Sequence, residues 1–245
     1  MTEPASGEDA LFAALDATWP AIETTDRAGW RLRRGGGAGR RVSSATALAP
    51  APDPAEAEAG FAAWGQAPVF RLRRDEAALD SALAARGYGV EAPSLLYETT
   101  AASLLDDRPE TARVIRGAGR VALMEDIWEA GHVGPARLAV MDRVAGPKSF
   151  LLGRIGDRPA GVAFVACAGD VAMIHSVFTL PEMRRKGVAK MLVAAAARFA
   201  TESGAPRFAL AVETDNAAAI RLYEALGMRL AGRYHYRTRR EDDSK

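Results

Sequence analysis

The stretch His175–Ala189, HSVFTLPEMRRKGVA, decides the fold. It reads as the end of a strand (Ala172 to Thr179), then a loop, then the start of a long helix (Gly187 to Thr201). The loop contains Arg184-x-x-Gly187-x-Ala189. A helix N-terminus presents unpaired backbone N–H groups and a partial positive charge. Small residues at 187 and 189 allow an anion to come close to that backbone. Arg184, Arg185 and Lys186 add positive charge beside it. The segment therefore predicts a diphosphate site.

Working outward, Phe208 to Val212 predicts a strand and Asn216 to Leu226 a helix stopped by Gly227. Arg229 to Thr238 predicts a last strand. Upstream, Ala122 to Ala130 and Pro135 to Val144 predict two short helices. Ser149 to Arg154 and Ala160 to Ala166 predict strands joined by GDRP. Two helices, three strands, then helix, strand, helix, strand make a mixed α/β domain. Asn216 opens its helix directly after a strand, and Tyr223 follows seven residues later, two helical turns along the same face. Both can reach a ligand lying between strand and helix.

The first half predicts a helix over Glu8 to Trp19. Strands are expected over Gly29 to Arg34 and Arg40 to Leu48, with GGGAG (35–39) as the hairpin turn between them. A helix over Ala55 to Trp64, a strand over Val69 to Arg73, a helix over Glu76 to Arg86 ended by Gly87, and a strand over Ser94 to Thr99 follow. Thr99 to Thr111 is polar, lacks a clear period and reads as a linker. Placing Gly227 over Gly87, an offset of 140 residues, sets DNAAAIRLYEALGM (215–228) against DEAALDSALAARGY (75–88). Each is preceded by a short strand, so the chain reads as a tandem of related domains.

Composition removes several function classes. The 245 residues are 49% hydrophobic and 26% charged with a net charge of +1, so the chain is expected to fold and carries no strong field toward nucleic acid or an anionic membrane. The 28 arginines against 4 lysines are scattered, which fits codon bias better than a basic surface. Apolar runs are too short to span a bilayer, and the acidic start gives no expectation of a secretory leader. One cysteine, Cys167, allows neither an internal disulfide nor a cysteine-based zinc site, and the three histidines (His132, His175, His235) lack metal-ligand spacing. A cytoplasmic protein is expected.

At the loop and the Asn/Tyr helix the sequence resembles the GNAT acyltransferase family over roughly residues 111 to 240. The (Q/R)-x-x-G-x-(G/A) loop is matched by Arg184 to Ala189. The preceding Val-x-Pro is replaced by Thr179-Leu180-Pro181. The N-x-x-A-x-x-x-Y-x-x-x-G pattern is matched by Asn216 to Gly227, with Met228 where the family usually has an aromatic. The resemblance implies binding of acetyl-CoA and transfer of its acetyl group to an amine. It implies that backbone N–H groups of Arg185, Lys186, Gly187, Val188 and Ala189, beside Arg184, hold the pyrophosphate. Val177 and Thr179 would offer backbone to the pantetheine arm, Asn216 would bind near that arm, and Tyr223 would act as general acid to the departing thiolate. His175 and Glu213 are rival candidates for the base that deprotonates the amine. Trp128, His132 and Met141, on the paired helices, and His235 are candidates for lining the acceptor pocket.

Residues 106–245 are thus expected to form the catalytic domain. Residues 1–105 are expected to form a degenerate GNAT-like domain: at the 140-residue offset Leu83 stands for Tyr223 and Glu76 for Asn216. In APAPDPAEAEAG (49–60) the prolines remove donors, and Asp53, Glu56 and Glu58 repel phosphate. The partner expected is an amine-bearing small molecule or peptide, in a monomer or homodimer. A binding module that senses acyl-CoA without turnover is the alternative.

Overall fold

The computed structural model describes residues 7–105 and 114–239. In chain order the elements are α1 (Gly7–Ala17), β1 (Glu23–Arg27), β2 (Trp30–Arg34), β3 (Thr46–Ala47), α2 (Pro54–Ala63), β4 (Val69–Arg73), α3 (Ala77–Ala85) and β5 (Gly89–Thr100). They continue with β6 (Val114–Gly117), α4 (Ala122–Ala130), α5 (Pro135–Arg143), β7 (Lys148–Ile155), β8 (Arg158–Ala168) and β9 (Val171–Thr179). The last are α6 (Val188–Glu202), β10 (Arg207–Glu213), α7 (Ala217–Ala225) and β11 (Arg229–Thr238). The fold is the mixed α/β one that the motif order implies.

Two compact units form, and neither is one continuous stretch of chain. The first comprises the described residues of Met1–Pro20, Leu96–Ala211 and Ala217–Ala231. Its strands run in the order β5-β10-β9-β8-β7-β6, with β10 parallel to β9 and the β9–β8, β8–β7 and β7–β6 pairs antiparallel. Most of β8 is buried, which is why Gly161 to Cys167 reads as a nearly unbroken run of apolar and small residues. Helix α6 packs Leu192, Val193, Ala196 and Ala200 against β7, β8 and β9. Helix α1 packs on β8 and β9 through the buried Leu11, Phe12 and Leu15, so this N-terminal helix clusters with the first unit.

The second unit comprises Ala21–Leu95, Val212–Asn216 and the described part of Gly232–Lys245. Its core gathers Trp30, Leu32, Phe61, Phe70, Leu72, Leu83 and Tyr88. Strand β11 pairs antiparallel with β4, Tyr236 facing Arg71. Strand β1 is exposed along its whole length, so it has no apolar alternation by which it could be anticipated. The hairpin turn also lies elsewhere than expected. Ala28 and Gly29, both at positive φ, join β1 to β2. The glycine run instead leads from β2 into a 3-10 turn over Arg40–Val42. Where a strand over Arg40 to Leu48 was expected, only Thr46–Ala47 is extended. The start of the expected linker is structured: β5 reaches Thr100 and a 3-10 turn covers Ala101–Leu104. The remainder of that expected linker, 106–111, lies outside the described residues.

The internal repeat is reproduced by the backbone. Adding 140 to the bounds of α3 (77 and 85), to Gly87 and to the start of β5 (89) gives the bounds of α7 (217 and 225), Gly227 and the start of β11 (229). Both glycines have positive φ, 84° and 77°. The bonds closing the helices also match: Tyr88 N–H to Leu83 O, and Met228 N–H to Tyr223 O, each 3.1 Å.

Candidate functional site

Strand β9 has different neighbours along its length. It pairs with β10 from Val171 to Met173, and continues to Thr179. On the β8 side the register shifts: Val162 faces Phe178, but Phe164 faces His175, so β9 carries one extra residue. That β-bulge sits at Ser176 and Val177, and Ser176 has φ 49°. Trp128, fully buried in α4, donates its indole N–H to the Ser176 carbonyl at 2.9 Å. Val177 in the bulge and Thr179 beyond it are half-buried. Gly161 lies opposite Thr179; a Cβ there would stand 2.5 Å from the Phe178 carbonyl oxygen, so no larger residue lets β8 approach this closely.

The strand runs through a short 3-10 turn, Pro181–Met183, into the loop. Met183 and Val188 are buried and anchor it, while Arg184, Arg185, Lys186 and Gly187 are exposed. Arg185 and Gly187 take positive φ, 63° and 79°. Gly187 is the N-cap of α6, and its left-handed conformation turns the chain directly into the helix. Because no side chain caps this end, the first-turn N–H groups, including those of Val188 and Ala189, stay available to a ligand.

Tyr223 lies in α7, 7% exposed, and burial pushes its phenol pKa up to about 12. Its ring lies 6.4 Å from that of Tyr97 on β5, whose hydroxyl donates to Glu224 at 2.9 Å. Tyr97 was not anticipated: it lies 127 residues before Glu224 in the chain, and no spacing rule links it to α7.

The remaining candidates are dispersed. His175 is 4% exposed and lies beneath α1. Its Nε2 is 2.9 Å from Thr18 Oγ1, and Thr18 spends its one hydroxyl proton on the Ala14 carbonyl at 2.7 Å. His175 Nε2 must therefore be the donor, which leaves that nitrogen no capacity to take a proton. Trp19 and Phe164 pack on the imidazole. Glu213 and Asn216 are exposed in the segment Val212–Asn216, which clusters with the second unit; Asn216 N–H donates to Glu213 O at 3.1 Å. His235 does not line an open pocket: its Nε2 lies 2.7 Å from Asp80, which also binds Arg237 through both oxygens. Those pairs hold the Asp80 carboxyl below its ordinary range, the Arg237 hydrogen bond most of all. Met141 is buried, His132 is exposed at the end of α4, and Cys167 is buried. Among the described residues no group of three or more His, Cys, Asp or Glu side chains could hold a metal, and no helix is long and apolar enough to cross a membrane.

The sheet, the loop and the helix it feeds make a mixed α/β unit with an uncapped helix start at the loop. Residues 120–228 match the family model described as Acetyltransferase (GNAT) family. Over 107 residues the chain is 31% identical to the aminoglycoside N(6')-acetyltransferase type 1 of Salmonella typhimurium (strain LT2), covering 42% of this chain and 67% of that relative. Among solved structures, the fold is similar to that of a GCN5-related N-acetyltransferase from Kribbella flavida, with TM-score 0.70, 20% identity and 94% of each chain covered. It is also similar to that of a tandem GNAT protein from the clavulanic acid biosynthesis pathway, with TM-score 0.60, 14% identity, and 100% of this chain and 91% of that one covered. The chain belongs to the GNAT acetyltransferase family and is an N-acetyltransferase.

Proposed function

We propose that the chain transfers an acetyl group from acetyl-CoA to a primary amine, by direct attack of the amine on the thioester. The observation that carries this reading is the uncapped N-terminus of α6 at Gly187, flanked by three exposed cations and reached directly from the end of β9. A diphosphate fits that donor set: backbone N–H groups of residues 185–189 for its oxygens, with Arg184, Arg185 and Lys186 for its charge. Acetyl-CoA supplies the activated acyl group. Val177 and Thr179 offer backbone along the part of β9 that lies past its pairing with β10, and Asn216 is a polar contact for the arm.

The amine must be neutral to attack. Its nitrogen bonds to the acyl carbon, the C–S bond breaks, and the nitrogen then sheds its second proton. We assign His175 to packing, because Nε2 already donates to Thr18. Glu213 stays as the base candidate on account of its exposed carboxylate, and Glu213→Gln should then lower the rate most at pH values where the free amine is scarce. Tyr223 serves the leaving group. With its pKa near 12 against about 8.5 for a free thiol, complete proton transfer from phenol to thiolate is uphill by roughly 5 kcal/mol. Tyr223 therefore stabilises the departing sulfur by donating a hydrogen bond, and water completes the protonation of the thiolate.

Residues 106–245 form the catalytic domain in this reading, and residues 1–105 a degenerate copy without acetyl-CoA. The relative's name makes amino-sugar amines the first acceptors to try, ahead of peptide N-termini, with a cytoplasmic monomer or homodimer as the working form. The test is a calorimetric titration with acetyl-CoA followed by thiol release with an amine panel. One site per chain and amine-dependent release are expected. Two sites overturn the degenerate first half. Binding without turnover on any amine favours the sensor alternative, and no binding overturns the reading.

A further inference from the structure

The β9 bulge is held from outside the strand. The Ser176–Val177 peptide lies outside the ladder with β8, and its carbonyl accepts from Trp128 Nε1 at 2.9 Å. Ser176 at φ 49° is a side-chain-bearing residue in left-handed backbone, a conformation that persists only where its surroundings enforce it. Trp128 is fully exposed to nothing but protein: its ring meets Phe150 edge-on at 6.1 Å, and Phe150 in turn packs on Phe164 at 5.1 Å. Three residues along, Gly131 at the end of α4 sits so close to Phe178 that a Cβ would stand 2.7 Å from its ring. Helix α4 thus grips β9 on both sides of Val177.

A trans peptide carries its C=O and N–H on opposite edges, and no cis peptide is present among the described residues. Fixing the Ser176 carbonyl toward Trp128 therefore fixes the Val177 N–H in the opposite direction. Position along the strand gives that N–H its task. An arm that starts at the 184–189 loop and follows β9 backward meets Thr179 first. It reaches the bulge two to three residues later, about 7 to 10 Å further on. The bulge is where the far, thioester-bearing end of such an arm arrives.

We propose that Trp128 is a positioning residue: by holding the Ser176 carbonyl it aims the Val177 N–H at the carbonyl oxygen of the bound acyl group. This rests on the acetyl-CoA reading above. A donor fixed in advance stabilises the carbonyl oxygen as negative charge grows on it. It also lets the free protein distinguish acetyl-CoA from CoA, because only the former has that oxygen. Nothing about the loop changes, so affinity for CoA is independent of Trp128.

The experiment compares affinities for CoA and acetyl-CoA by calorimetry in the full chain. The variants are Trp128→Phe, and a chain carrying benzothienylalanine at 128, which keeps the shape of the indole but lacks its N–H. Phe150→Leu serves as a packing control, and thermal melts are recorded for all. The wild type should bind acetyl-CoA about five- to tenfold more tightly than CoA, as expected for one net hydrogen bond. Both replacements at 128 should erase that preference and leave CoA affinity within about twofold. Phe150→Leu should lower the melting temperature and keep the preference. An unchanged preference in the benzothienylalanine protein overturns the inference even if Trp128→Phe does not fold. Equal wild-type affinities overturn it too, while leaving the loop reading intact. A wild type that binds neither ligand overturns the acetyl-CoA reading and the inference with it.

Discussion

Tyr223 and His175 are both buried, and burial gives them opposite meanings. Tyr223 occupies the position at which the proposed reaction needs a donor to the leaving sulfur, whereas His175 has its Nε2 proton committed to Thr18. Tyr223→Phe should lower turnover on a responsive amine about a hundredfold while leaving the acetyl-CoA dissociation constant within about threefold, measured by thiol release and calorimetry. The raised phenol pKa has a consequence for stability. A folded-state pKa of about 12 above an unfolded 10 means that the neutral phenol is favoured by the fold. The stabilisation is complete below pH 10 and is lost as pH rises from 10 toward 12, by about 3 kcal/mol. Urea melts of wild type and Tyr223→Phe at pH 9 and pH 11 check this: the difference between the two should shift in favour of the Phe variant at the higher pH. His175→Gln should cost about 1–3 kcal/mol by denaturant melt with little loss of rate per folded molecule. A rate collapse in a fully folded His175→Gln protein would contradict the packing assignment. The place of Tyr223 on α7 was legible in the sequence because helical spacing is local. The side of β9 that His175 faces was not, since alternation says only that neighbours differ.

Two helices illustrate how one element can be built for or against an anion. Helix α6 begins at a bare Gly187, but α2 begins at Asp53, whose carboxylate accepts the Ala55 N–H at 2.9 Å, with Pro54 and Glu56 in the first turn. The donors that a phosphate would use on α2 are occupied or absent. Asp53→Ala should therefore lower stability by about 1 kcal/mol and leave acetyl-CoA affinity unchanged. Gly187→Val places a β-branched residue at φ 79° where the loop turns. It should cost about 1–2 kcal/mol and weaken acetyl-CoA binding at least tenfold, as read by calorimetry on the folded variant. The loop and both helices could be read from sequence because capping is local. The β9 bulge could not, because a register shift exists only relative to a partner strand.

Across the chain, the 140-residue repeat is the main organising fact. It is reproduced in helix bounds, in the glycine turns and in the hydrogen bonds that close both helices. Leu83, fully buried in the core of the second unit, stands where Tyr223 stands in the first. Leu83 offers packing where the proposed reaction asks Tyr223 for a hydrogen-bond donor. The single acetyl-CoA site per chain proposed above follows from this difference together with the contrast between α2 and α6. The two units interleave in sequence: the segment Val212–Asn216 clusters with the second unit, although the residues on either side of it cluster with the first.

Local chemistry fixed the loop, the left-handed glycines, the helix starts and the repeat, because caps, turns and helical periods depend on residues only a few positions apart. It therefore carried the GNAT assignment and the backbone proposed to face the ligand. The partners of these elements depend on contacts between residues far apart in sequence. That is why the burial of His175 under α1, the pairing of His235 with Asp80, the placing of Tyr97 beside Tyr223 and the grip of Trp128 on Ser176 became visible only once the chain was folded.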